Sequence, residues 1–315
     1  MKEQLSEGLS VIIVDYQTLD TTLNYIDSCI QAFIGVSGLH FVIVDHFPQN
    51  GDASLRTRFQ FVEETASYTR YQYRGADIVY SQSDNNAGYA KGNNKGVRLA
   101  AELFRDRFYL FSNNDILFPQ PVDWRLIQDC FAADDRIAVV GTGLTGPAGT
   151  VQNPGKRPTV GYSLFYKFWK DIFGNVIRLN RSDIDKAANS GYVYRVSGAF
   201  MFVRADSFHQ VGMFDENTFL FAEEEILSER LRKLNYFTYY CKEVQIIHHE
   251  HQSLYTANMY KKRLLLSYDS ERYYFRQYRE ASFLLLFLAD INRTVYCLAL
   301  AFKNRIKEIR DGEKK

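Results

Sequence analysis

The sequence has little of what builds a disulfide frame or a thiolate metal cage. Four cysteines, Cys29, Cys130, Cys241 and Cys297, are scattered through 315 residues. None forms a CxxC pair, which argues against a zinc ribbon or redox motif and suits a reducing compartment. An excess of one charge is also missing: 38 Lys and Arg against 37 Asp and Glu give a formal +1. No global field therefore recruits nucleic acid, and any polyanion contact must be local. The Gly-rich segment over 85–96 has neither the GxGxxG nor the GxxxxGK[ST] spacing, so both nucleotide fingerprints are rejected there. Met1 to Gly8 carries acids and leads straight into an apolar run, a layout unlike a signal peptide, and the expected location is cytoplasmic. Uninterrupted hydrophobic runs are short. Phe283 to Ala289 and Thr294 to Phe302 are apolar, but Asp290, Asn292 and Arg293 break what would be the roughly 20 residues a spanning helix needs.

What is present is ample core material, 46% hydrophobic residues, with 22 Tyr and 24 Phe in the whole chain and aromatics crowding toward its last third. Leu9 to Val14 is a continuous apolar run ending on Asp15 and Tyr16. Thr18 to Phe33 then spaces Leu19, Leu23, Ile26, Ile30 and Phe33 along one helical face. Leu39 to Val44 repeats the strand and ends on Asp45. A third strand, Asp77 to Ser81, enters a segment rich in Gly and Asn over 85–96, then a helix from Val97 to Phe104. This alternation predicts right-handed crossovers and a mostly parallel α/β sheet whose strand ends collect ligands.

Phe108 to Phe111 reads as a buried strand, and Asn113, Asn114 and Asp115 follow where it runs out. One carboxylate and two carboxamides at a strand edge can hold a hard divalent cation beside substrate phosphates, or simply form an Asn-rich turn. From Gly141 to about Gly191 the chain reads as a long irregular, functional loop with an aromatic knot at Tyr162 to Trp169. Tyr194 to Val203 reads as a strand containing Ser197 and Gly198, where glycine permits close approach.

Phe219 to Lys233 reads as a helix with Glu223, Glu224 and Glu225 in its first turn. Acids there complement the helix dipole, but one of the three must turn inward, where desolvation favours a general base. Tyr236 to Tyr240 and Val244 to Ile247 read as two strands, the second entering His248-His249-Glu250-His251. One neutral imidazole completing an oxygen-rich metal site fits these spacings better than zinc. Beyond Tyr260 the pattern is helical, with Lys261, Lys262 and Arg263 near its start. Helices lying on a membrane surface, docked on a partner, or packed as an ordinary appendage all fit it.

Assembled in order, residues 9–255 resemble family 2 glycosyltransferases of the GT-A fold, in particular the rhamnosyltransferase-like bacterial group. Asn86-Ala-Gly88-Tyr-Ala-Lys-Gly92-Asn93-Asn-Lys-Gly96 is similar to the family's NxGxxxGxNxG segment. Asn113-Asn114-Asp115 falls at its metal-binding DxD-type motif, with Asn113 in place of the first Asp. Gly212-Met-Phe-Asp-Glu and Phe219-Leu-Phe-Ala-Glu-Glu-Glu resemble its GxFDE…ED block, which puts Glu224 on the catalytic base, with Glu223 and Glu225 as runners-up. Departures are His46-Phe-Pro after Asp45, where Asn-x-Ser is usual, and Glu for Asp as base.

The resemblance implies a Rossmann-like GT-A domain over 1–255, with a nucleotide half to about 118 and an acceptor half beyond it, and a helical segment over 256–315. It implies an inverting hexosyltransferase that uses a UDP- or dTDP-linked sugar and Mg2+ or Mn2+ and builds cell-surface polysaccharide or lipopolysaccharide. Asp15, Tyr16, Asp45, Asn86, Gly88, Gly92, Asn93 and Asn114 would bind the nucleotide. Asp115 and His249 would bind the metal, with His248 a near rival, and Ser197 and Gly198 would face the acceptor. Partners implied are the nucleotide-sugar donor, a glycan or lipid-linked glycan acceptor and the inner membrane leaflet, not nucleic acid; the oligomeric state is left open. The alternative is a nucleotide-sugar or carbohydrate-binding protein of the same fold, impaired in catalysis by the missing first Asp.

Overall fold

β1 (Ser6–Asp15) is apolar without alternation because both of its faces are covered. Leu9, Val11 and Ile13 pack in a cluster with Leu23, Ile26 and Cys29 of α1 (Leu19–Ala32), while Ile12 packs on the other side with Val97 and Ala100 of α3 (Tyr89–Leu103). The computed structural model describes residues 6–48, 53–166, 169, 184–186, 188–249 and 257–312.

β1 pairs in parallel with β2 (Leu39–Asp45) and β6 (Asp106–Ser112), and β2 with β5 (Ala76–Gln82). Asp15 stands in register with Asp45, so two carboxylates reach the same sheet edge. An antiparallel hairpin, β3 (Gln60–Glu64) and β4 (Thr69–Tyr73), extends the sheet beyond β5. It is preceded by the short α2 (Ala53–Arg58). The other half of the sheet is mixed. β10 (Phe200–Arg204) lies antiparallel between β6 and β8 (Ile137–Thr145), β11 (Phe237–His248) runs parallel to β8, and β7 (Ile116–Leu117) and β9 (Gly191–Val193) pair antiparallel with β11. α4 (Trp124–Ala133) covers the α1 face; α5 (Ala205–Gln210) and α6 (Glu223–Lys233) cover the α3 face.

Several boundaries differ from the sequence reading. α3 begins at Tyr89, not Val97, so Gly92, Asn93 and Gly96 sit inside a helix. Glycine is a poor helix former, but here its bareness lets the helix settle on the sheet: a β-carbon on Gly96 would lie 2.6 Å from Ile12. β8 runs on to Thr145, into the stretch read as irregular, because Gly141 and Gly143 lie against Val196 and Gln245. The two strands read over 236–247 are one, β11, with a register shift between Cys241 and Gln245. Ser197 and Gly198 lie in the turn before β10 rather than within a strand. Most of the aromatic knot beyond Tyr166, and Glu250 and His251, lie outside the described residues.

The chain divides into two compact units, residues 1–157 with 184–256, and residues 158–183 with 257–315. The second contains a short π-helix (Gly161–Tyr166), α7 (Ala257–Tyr278) and α8 (Phe283–Gly312). Its core includes Tyr268, Tyr274, Phe275, Leu286 and Tyr296.

Candidate active site

At the ends of β1, β2 and β5 opens a cavity of about 570 Å3, lined by Tyr16, His46, Phe47, Gln82 and Asn86 among others. Tyr16 and Phe47 meet edge to face, ring centroids 5.7 Å apart, and remain 46% and 38% exposed. Two exposed aromatics on one rim offer a planar ring a stacking surface.

The two carboxylates below do not line that cavity. Asp15 accepts from the Thr18 amide and hydroxyl at 3.1 and 3.0 Å, from Thr22 Oγ1 at 2.5 Å and from Asn114 Nδ2 at 3.2 Å. Asn114 thus fastens the β6 turn to the start of α1. Asp45 accepts from the Phe47 amide and the Tyr80 hydroxyl, both at 2.8 Å, fixing the loop that carries Phe47. His46 is buried against Gly92, where a β-carbon would lie 2.8 Å from its ring, and its Nδ1 is 3.2 Å from Asn86 Oδ1. Burial lowers the His46 pKa.

Asn86 Oδ1 also accepts from the Gly88 amide at 3.1 Å, and Asn93 Nδ2 donates to the Tyr89 carbonyl at 2.9 Å. Gly88, at φ +87°, is the hinge of this segment: a β-carbon there would lie 2.2 Å from the Phe219 carbonyl oxygen, which accepts from the Tyr89 amide at 2.9 Å. The Gly- and Asn-rich segment is thereby tied to the loop that enters α6. That loop is strained, since the consecutive non-glycine residues Phe221 and Ala222 sit at φ +76° and +66°, at a cost of about 1–3 kcal/mol each. Asn94, which the sequence reading passed over, holds the same region by exchanging hydrogen bonds with the Phe214 backbone at 3.0 and 3.1 Å.

Asp115 sits in the turn between β6 and β7, and the β7–β11 pairing brings His248 to it. His248 Nε2 lies 3.2 Å from Asp115 Oδ1 and 3.3 Å from Asn113 Nδ2, while Nδ1 is 2.9 Å from Gln152 Oε1. With Gln152 accepting from Nδ1, Nε2 is the ring nitrogen left facing the carboxylate. No hydrogen bond from the described residues satisfies the buried Asp115 Oδ1. In the tautomer whose Nδ1 donates to Gln152, Nε2 offers a lone pair beside Asp115 Oδ1, and this pair fits two ligands of a divalent metal that completes its shell with substrate oxygens. No group of three or more His, Cys, Asp or Glu suited to a metal occurs among the described residues. His249 is placed differently: its side chain is exposed, and its amide donates to the Asp115 carbonyl at 2.9 Å.

The three glutamates diverge as neighbours on a helix must, about 100° apart. Glu223 is 3% exposed, 3.3 Å from Thr218 Oγ1, and burial with the adjacent Glu224 pushes its pKa up to about 8. Glu225 is committed to Arg195 at 2.8 Å. Glu224, half-buried, accepts from the Gly198 amide at 2.7 Å. The Gly198 carbonyl in turn accepts from the Tyr89 hydroxyl at 2.8 Å, and a β-carbon on Gly198 would lie 2.6 Å from that hydroxyl. The Ser197 amide donates to Asn153 Oδ1 at 2.7 Å. Because the Asn113 amide donates to the Ala199 carbonyl at 2.9 Å, the Asn113–Asp115 turn and Glu224 are joined through Gly198 and Ala199. Tyr89, Asn153 and Arg195 carry no motif of their own in the sequence, and only the folded contacts reveal them.

A mannosyltransferase from Pyrobaculum calidifontis, solved with GDP-mannose and Mn2+, superimposes with a TM-score of 0.52 over 96% of this chain and 79% of its own, at 14% identity. The chain has the GT-A fold. GalNAc-T7, solved with UDP, GalNAc and Mn2+, gives the GT-A architecture again, TM-score 0.52 over 87% of this chain and 50% of its own, at 11% identity. In sequence, this GT-A chain is 23% identical over 253 residues to a low-salt glycan biosynthesis hexosyltransferase of Haloferax volcanii, covering 79% of this chain and 70% of that protein. It is 26% identical over 186 residues to an N-acetylglucosaminyl-diphospho-decaprenol L-rhamnosyltransferase of Mycobacterium tuberculosis, covering 57% of this chain and 58% of that protein. The rhamnosyltransferase-like resemblance read from the motifs is thus shared by relatives found independently. No protein-family model matches the chain.

Proposed function

We propose that this GT-A protein transfers a sugar, with inversion, from a UDP- or dTDP-linked donor to an acceptor hydroxyl in glycan synthesis. The carrying observation is that Glu224, oriented by the Gly198 amide, is linked through Ala199 to the turn that carries Asp115, to which β11 brings His248. This link supports assigning a proton acceptor and a diphosphate-neutralising site to neighbouring stretches of backbone.

In the reaction, the acceptor oxygen forms its bond to the anomeric carbon as the bond from that carbon to the diphosphate oxygen breaks, and the diphosphate leaves with the electron pair. Glu224 takes the hydroxyl proton, general-base work. Glu223 is too enclosed to reach an arriving acceptor, and Glu225 is held by Arg195. Asp115 and His248 would hold a divalent cation, which supplies Lewis-acid neutralisation of the departing diphosphate. Tyr16 and Phe47 would cover the base, with Asp15, Asp45, Asn86 and Asn114 holding the loops that shape its cavity. The similarity to a mycobacterial rhamnosyltransferase of N-acetylglucosaminyl-diphospho-decaprenol supports a lipid-linked acceptor.

Incubating the protein with a panel of nucleotide sugars and Mn2+ should release nucleoside diphosphate from at least one UDP or dTDP sugar, and EDTA should suppress the release. Tight binding of such sugars with no release in the presence of glycan acceptors would instead identify a binding protein.

A further inference from the structure

α8 directs its polar residues to its own unit: Asp290 accepts from Arg272 at 2.9 Å and Tyr268 at 2.8 Å, Arg293 pairs with Asp269 at 2.8 Å, and Asn292 bonds the Trp169 indole at 2.7 Å and the Leu164 carbonyl at 3.1 Å. Leu286, Ala289 and Tyr296 are buried, but a second set of apolar residues faces out. Phe283, Phe287, Ile291, Val295, Leu298 and Phe302 recur every three or four residues, and each is at least 45% exposed. That period lays them along one continuous stripe. The window Phe283–Phe302 has mean hydropathy 1.6 and is 17% buried, yet belongs to a chain with ample core elsewhere.

Charge indicates what covers the stripe. The unit formed by residues 158–183 and 257–315 holds 17 Lys and Arg against 9 Asp and Glu, a net +8, which leaves −7 for the rest of a chain whose total is +1. Lys262, Arg263 and Arg276 are exposed. An apolar stripe on a unit of net positive charge matches an anionic lipid surface, apolar side chains in the acyl boundary and cations available to the headgroups. A spanning arrangement is disfavoured, because it would carry Asp290 and Arg293, with their partners Arg272 and Asp269 on α7, into the hydrocarbon.

We propose that α8 docks in the plane of an anionic membrane through the stripe from Phe283 to Phe302, holding the chain peripherally. The inference stands apart from the transfer reading, since it uses neither Glu224 nor Asp115.

Flotation of the full chain with vesicles of phosphatidylcholine, alone or mixed with phosphatidylglycerol, tests it. The protein should float with the mixed vesicles, much less with phosphatidylcholine alone, and be released by high salt or carbonate. Phe287→Glu and Leu298→Glu change exposed positions, so the fold should persist by circular dichroism while flotation falls roughly tenfold or more each. Equal flotation of folded variants and wild type would overturn the proposal. Retention through carbonate would show a spanning helix instead. A wild type that ignores vesicles but forms a dimer dispersed by Phe287→Glu would show that a second copy covers the stripe.

Discussion

A β-carbon on Gly88 would lie 2.2 Å from the carbonyl oxygen of Phe219. The clash is with backbone, and Gly88 is also at φ +87°, so neither rotation of a side chain nor a small shift relieves it. Gly88→Ala should cost upwards of about 2 kcal/mol in urea unfolding. It should also lower turnover more than donor affinity, because it displaces the entry to α6 and with it Glu224. A variant within about 0.5 kcal/mol of wild type and fully active would show that this contact is slack.

Tyr16 and Phe47 present the exposed rings at the cavity rim. Replacing either by Ala should weaken nucleotide binding by roughly tenfold, the usual scale of base–aromatic stacking, with little change in thermal stability since both are on the surface. Calorimetry with the nucleoside diphosphate checks it; unchanged affinity in both variants would move the base elsewhere.

Asp115→Asn retains size but supplies no charge against a cation or diphosphate. It should abolish Mn2+ binding measured in the absence of donor and reduce turnover by about 10² or more. His248→Ala should weaken Mn2+ binding too, while His249→Ala should not, since the latter residue is exposed and its backbone amide donates to the Asp115 carbonyl. The reverse ranking of the two histidines would contradict the geometry at β7 and β11.

Glu223 gives the fold a pH signature. Its folded pKa, raised to about 8 from an ordinary 4.5, means that the folded chain binds more protons than the unfolded one between those values. The stabilising contribution is full below about 4.5 and is lost as pH rises through about 8. Thermal midpoints of wild type should therefore fall across that window, and Glu223→Gln, permanently neutral, should flatten the fall and be the more stable protein at pH 8. Parallel curves would show that Glu223 is not buried as described.

The sheet's parallel half was legible because β1, β2 and β5 are covered on both faces and so read as unbroken apolar runs. The hairpin at 60–73 was not: β3 is exposed at Gln60, Phe61, Val62 and Glu64, and β4 buries only Thr69 and Tyr71, too short an alternation to stand out. α3 was started late because Gly92, Asn93 and Gly96 all have weak helix propensity, and the packing that overrides it, Gly96 on Ile12 and Gly92 on His46, exists only after folding. At the site, Asp115 and the glutamate triplet stand out in sequence by charge and position. Which histidine faces Asp115 depends on the two-residue pairing of β7 with β11, and which glutamate meets Gly198 depends on the left-handed entry at Phe221 and Ala222. Neither is encoded in a spacing.

The central claim is that Glu224 removes the acceptor proton. Glu224→Gln preserves size and can still accept a hydrogen bond from the Gly198 amide, but cannot serve as the base. Measured side by side with wild type, it should bind nucleotide sugar and Mn2+ with unchanged affinity while single-turnover transfer falls by about 10² to 10⁴, the usual scale for a general base. Retained transfer in Glu224→Gln, with the loss appearing instead in Glu223→Gln or Glu225→Gln or in none of the three, would contradict it.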